Sequence, residues 1–146
     1  MKTDIKNSRI ISMLISVVGF CNRFVVNLPI FGKGIVGLSN KSLGKLLPSL
    51  TFLGFRKNAT YENAIWNWEI FLNLIGAEYE LEETISDSKC YIIKRCPAGY
   101  CHLEHLNACE ATMELDHSLV ESSGARLIVE KRLPIDGICI ERIVPK

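Results

Sequence analysis

The chain carries two hydrophobic periods, and the change between them divides it. Over residues 5–27 the apolar positions Ile10, Met13, Leu14, Val17, Val18, Cys21, Phe24 and Val25 recur at three- and four-residue steps. That spacing predicts a helix with Lys6, Arg9 and Arg23 at its polar edges. Its apolar arc is wide, so a second surface must cover it. Residues 28–40 contain Pro29 and three glycines and predict a turn or irregular connection. Ser39 or Asn40 then caps a short helix over 41–47, with Pro48 near its end. Asn58 to Thr60 supply cap chemistry for a helix over about 60–75, whose buried face is Tyr61, Ala64, Ile65, Trp68, Leu72 and Ile75. Gly76 ends it, and Trp66 lies off that face.

Beyond Gly76 the period falls to two. Residues 78–84 and 89–95 read as strands joined by Ser86, Asp87 and Ser88. Pro97 and Gly99 stop the second strand, and a helix runs from about Cys101 to about Ser122, closed by Gly124. Residues 126–131 alternate again, Pro134 to Gly137 supply a turn, and ICIERIV makes a last strand. N-terminal helices followed by β-β-α-β-β with an antiparallel sheet define an α+β fold. A length of 146 residues suits a single domain, 1–146, with a basic helical part over 1–58 and an α+β core over 59–146.

Composition narrows the class. With 48% hydrophobic and 23% charged residues the chain is globular, not disordered. The net charge of +1 hides an asymmetry. Residues 1–58 hold Lys2, Lys6, Arg9, Arg23, Lys33, Lys41, Lys45, Arg56 and Lys57 against Asp4 alone, and the acidic excess follows. Either the halves attract one another, or the first meets an anionic surface. The six cysteines are separated by long helical and strand-like runs, unlike a disulfide scaffold, which favours a reduced, cytoplasmic compartment. Residues 10–20, IISMLISVVGF, look like the core of a signal peptide, but no small-x-small site follows, and Phe20 spoils a lipoprotein site at Cys21. Asn22 and Arg23 cut the run short of a membrane span. The run GKGIVGLSNKSLGK lacks the spacing of a phosphate loop.

Donor atoms concentrate in residues 95–116, RCPAGYCHLEHLNACEATMELD. At roughly 100° per residue, His102, His105, Cys109, Met113 and Asp116 fall on one helical stripe. Two chemistries suit them. In the first, His105 and Cys109 converge on an ion, Cys96 and Cys101 reach in from the strand–helix junction, and Cys139 rises from the last strand. Zinc suits such thiolate and imidazole ligands, whereas an iron–sulfur cluster would take Cys96, Cys101, Cys109 and Cys139. In the second, a thiolate is the nucleophile: Cys101 at the helix start beside His102 and His105, or Cys109 with His105 one turn away and Asp116 orienting water. The plain alternatives are scattered buried thiols and an exposed Asp116 paired with a lysine or arginine.

The run CP…C…CEATMELD, followed by a glycine-marked turn and C-x-E-R-I, resembles the L-2-amino-thiazoline-4-carboxylate hydrolase-like proteins and, more distantly, domains of the 4-vinyl reductase type. The likeness covers about residues 60–145. Cys96 takes the place of the family's cysteine after the second strand, Cys109 and Asp116 the first and last places of its helix motif, and Cys139 that of its closing cysteine. Met113 stands where the motif has its second cysteine. The first family implies hydrolysis of a small cyclic C–N substrate, with Cys109, Cys139 and Asp116 at the site and His105 as acid or base. The second implies a non-catalytic module that holds an apolar ligand near a cysteine-bound metal. On either reading the partner is a small molecule and not a nucleic acid. A further reading makes the basic N-terminal helix a membrane-peripheral anchor, and its wide apolar arc leans toward a homodimer.

Overall fold

The structure, a computed structural model, describes residues 17, 21–28, 32–82 and 87–146. Most of the apolar run 10–20, Pro29, and the turn residue Ser86 lie outside the described residues. Within them, α1 is helical over residues 21–26. It is followed by α2 (Gly32–Leu46), two 3-10 turns (Leu47–Ser49 and Thr51–Leu53), α3 (Tyr61–Ile75), β1 (Glu78–Glu82) and β2 (Lys89–Arg95). A 3-10 turn (Leu103–His105) leads into α4 (Leu106–Ser122), then β3 (Ala125–Lys131), α5 (Leu133–Asp136) and β4 (Cys139–Pro145). The fold is mixed α+β: N-terminal helices, then an antiparallel sheet of order β1-β2-β4-β3 interspersed with helices.

α3 follows its local signals. The Thr60 side chain accepts from the Asn63 backbone N–H at 3.2 Å, and Gly76 closes the helix in the left-handed region at φ 71°. Its inward face presents Ala64, Trp68, Leu72 and Ile75 to the core, together with Asn67, which apolar periodicity passes over. Asn67 is fully buried because all its polar atoms are used: it accepts from Arg56 N and donates to Arg56 O and Ser123 Oγ. Trp66 lies outside, donating to Gly54 O and stacked under the Arg56 guanidinium.

α2 corrects the expected irregular connection. Residues 32–40 are helical, and two glycines of α2, Gly32 and Gly44, serve close packing instead of turns. A Cβ at Gly44 would lie 2.4 Å from Leu115 O, and one at Gly32 would lie 1.9 Å from Val25 O. Only glycine lets the α2 backbone approach α4 and the end of α1 so nearly. Asn40 Nδ2 then donates to Ala111 O across that seam at 3.0 Å.

α4 is the spine. One side packs Leu115, Leu119 and Val120 into the main core, with Trp68, Leu72, Tyr91, Leu127, Cys139 and Ile143. The other side packs Ala108, Cys109 and Ala111 into a smaller cluster with Val26, Val36 and Tyr100. Arg23, expected at a polar edge, turns inward and donates to Ala98 O and Gly99 O, which ties α1 to the loop after β2.

Candidate ligand cavity

Between the two clusters lies a cavity of about 380 Å³. Its walls are almost wholly hydrocarbon: Leu43 and Leu47 from the α2 side, Phe55 ahead of α3, Trp68, Phe71 and Leu72 from α3, Ile93 at the end of β2, and Met113 and Leu115 from α4. A void of this size is well beyond what packing defects leave in a small core and falls within the range of small-molecule sites.

One corner of the lining is chemically different. Asp116 of α4 and Glu141 of β4 both border the cavity, and both are buried. Strand alternation explains Glu141. Cys139, Glu141 and Ile143 share the inward face of a central strand, with Tyr91 and Val129 opposite Glu141 on its two neighbours. The Cys139 thiol donates to Glu141 Oε1 at 3.5 Å, while Glu141 Oε2 has no hydrogen-bond partner among the described residues. No lysine or arginine forms a salt bridge with either acid among the described residues. Burial pushes both carboxyl groups up from the ordinary carboxylate range, and the Glu141 charge adds to the rise at Asp116. The pair therefore retains protonation under conditions that ionise a solvent-exposed acid. Trp68 contributes a second buried orphan, its Nε1 donor.

The same burial sets the thiols. Cys109 is pushed up to about 12 by burial, then by Cys96 and Asp116. Cys139 is raised further by burial and by Glu141, and burial also raises Cys96. All three border the cavity as neutral thiols, which are poor nucleophiles.

The sequence stripe is thus correct in its helical half. Cys109, Met113 and Asp116 line one wall, and Cys96 and Cys139 reach the same space. Asp116 is no exposed helix acid. The histidine half of the stripe fails, because α4 begins at Leu106 and not at Cys101. Cys101 and His102 are exposed on the preceding loop, and neither they nor His105 borders the cavity. The His105 ring sits 6.3 Å from Tyr100 and 5.6 Å from His102, with Nε2 3.5 Å from Glu104. Burial, then the Arg23 charge, pushes it below the usual imidazole value.

The expected metal centre is overturned. Among the described residues no three of His, Cys, Asp and Glu converge as ion ligands, so neither zinc nor an iron–sulfur cluster has a site. The set Cys96, Cys101, Cys109 and Cys139 fails because Cys101 faces solvent while the others stand around a space lined by hydrocarbon. Glu141 is the site residue that sequence reasoning missed. Its signal was present: period-two alternation in CIERIV places it on the face of Cys139 and Ile143, where an apolar residue belongs.

Fold and cavity together define a class: an α+β domain whose central helix and sheet enclose an apolar space with two acids at its edge. No protein-family model matches the chain, and no curated protein matches it significantly.

Proposed function

We propose that this protein binds an apolar small molecule in the cavity between α2, α3, α4 and the sheet. The cavity itself carries the reading: about 380 Å³ of hydrocarbon-lined space, partly open to solvent, has the size and lining of a small-molecule site. Two buried atoms of the cavity lining without partners among the described residues, Trp68 Nε1 and Glu141 Oε2, favour a ligand with a small number of polar groups on an otherwise apolar body. Titration with the fluorophore N-phenyl-1-naphthylamine tests this. Saturable one-to-one enhancement is expected, and Met113→Trp, which places an indole in the space, abolishes it while the thermal melt stays cooperative. Absence of saturable binding in the wild type, or undiminished binding in a folded Met113→Trp, overturns the reading.

A second reading is hydrolysis of a small cyclic C–N substrate. The Asp116 and Glu141 pair favours it, because adjacent acids with raised pKa values can supply one proton donor and one base to an attacking water. On this reading Cys109 and Cys139 pack the substrate as neutral thiols, and His105 takes no part. Ring opening of 2-amino-thiazoline-4-carboxylate, followed by product analysis, should then vanish in Asp116→Asn and Glu141→Gln and survive in His105→Ala. No turnover by the wild type removes this reading and leaves the binding proposal standing.

A further inference from the structure

The outer face of α2 is as unusual as its inner one. At roughly 100° per residue, Ile35, Ser39, Ser42 and Leu46 form a solvent-facing stripe about 60° wide, bordered by Leu38 on one side and Leu43 on the other. These are not incidental exposures: Ile35 is 56% exposed, Leu38 68%, Leu46 61% and, in the turn beyond the helix, Phe52 81%. Lys41 and Lys45 follow on the Leu38 side, and neither forms a salt bridge among the described residues. From residue 32 to residue 58 there are five basic side chains and no acid. Leu43 also borders the cavity, so apolar surface continues from the stripe to the interior.

We infer that this face of α2 docks on the surface of an anionic lipid bilayer. Ile35, Leu38, Leu43 and Leu46 enter the headgroup boundary with Ser39 and Ser42 between them, and Lys41 and Lys45 meet lipid phosphates and carboxylates alongside. No acid lies on α2 itself, and Glu110 and Glu114 of α4 meet it at Lys33 and Gly37, on the side away from the stripe, so the charge beside the stripe is positive and complements a negative surface. The contact is peripheral: no helix among the described residues is long and apolar enough to cross a membrane. The inference rests on α2 alone and stands whether or not the cavity binds a ligand.

Co-sedimentation of the full chain with vesicles tests it, comparing phosphatidylcholine alone with a mixture containing phosphatidylserine. Binding to the anionic vesicles is expected to exceed binding to the neutral ones at least tenfold and to weaken in 0.5 M NaCl. The charge reversal Lys41→Glu with Lys45→Glu, and separately the pair Leu38→Asp with Leu46→Asp, should each reduce it at least tenfold. Both variants alter exposed side chains, and unchanged thermal melts would confirm their folding. Equal binding by folded variants and wild type overturns the inference, as does failure of the wild type to bind anionic vesicles. Sedimentation velocity supplies the remaining outcome: a wild-type dimer that the Leu38→Asp, Leu46→Asp pair converts to monomer identifies the stripe as a self-association face and sinks the membrane reading.

Discussion

Glu141 and Arg142 are neighbours on one central strand and lead opposite lives. Arg142 points to the outer face of the sheet, where its guanidinium bonds Glu130 Oε1 at 2.6 Å and Ser88 Oγ at 3.4 Å and lies 3.9 Å from Glu82. Glu141 points to the inner face, toward Asp116, a thiol and hydrocarbon, with one carboxyl oxygen unpartnered. Outside, charges are matched across strands and solvated, which is ordinary sheet chemistry. Inside, two acids are buried together, and neither has a salt bridge among the described residues. Such an arrangement lowers stability, so packing alone does not account for it. The contrast sets the inner side of the sheet, which borders the cavity, apart from the outer side.

The contrast can be broken most severely by overloading the inner side. Cys139→Asp adds a third acid beside Glu141 and is expected to cost about 3–5 kcal/mol, read as a lowered urea midpoint at neutral pH. Cys139→Ser, with similar volume and no charge, separates this from simple loss of the thiol.

The next effect concerns pH and has a definite sign. Both acids are raised in the native state, so the native protein holds protons that the unfolded chain releases. Below the ordinary carboxylate range the two states bind equally and no penalty exists. As pH rises above it, stability falls until the native pair itself has titrated. Thermal melts across that range should show the decline. The double change Asp116→Asn, Glu141→Gln should flatten it and raise stability by about 1–2 kcal/mol at pH 8. Stability that instead rises with pH in this window would mean the pair is not held protonated.

Smallest is the outer side. Arg142→Gln removes the cross-strand pairs with Glu130 and Glu82 and should cost about 0.2–1 kcal/mol, less in high salt. Thiol reactivity sharpens the same division between surface and cavity. Cys21 and Cys101 are exposed and should react with Ellman's reagent within minutes, whereas Cys109 and Cys139 should react only after denaturation. Rapid labelling of Cys109 or Cys139 in the folded protein, located by peptide mass mapping, would place the cavity in open contact with water.

Legibility followed the range of the interactions. The helix from Tyr61 to Ile75 was readable because the Thr60 cap, the apolar spacing and Gly76 all act within a few residues. The shared stripe of Cys109, Met113 and Asp116 was readable for the same reason. α2 was not, since Gly32 and Gly44 look like helix breakers until Val25 and Leu115 are seen pressed against them. The histidines misled because periodicity runs on past the true helix start, while the chain at His102 is extended, at φ −125° and ψ 153°. Cys96, Cys109 and Cys139 all border one space, but the metal proposed to join them was wrong, because among the described residues no ligand set converges on a point.

By itself the sequence determined the α+β class, the places of α3, α4 and the strands, and the helical wall that carries Cys109 and Asp116. These depend on backbone periods of two and 3.6 residues, which are properties of the local chain. Only the tertiary structure decided that Glu141 comes to face Asp116, that both are buried without a salt bridge among the described residues, and that space remains between α2, α3, α4 and the sheet. Proximity, dielectric and unfilled volume belong to several elements at once, and no stretch of residues encodes them alone.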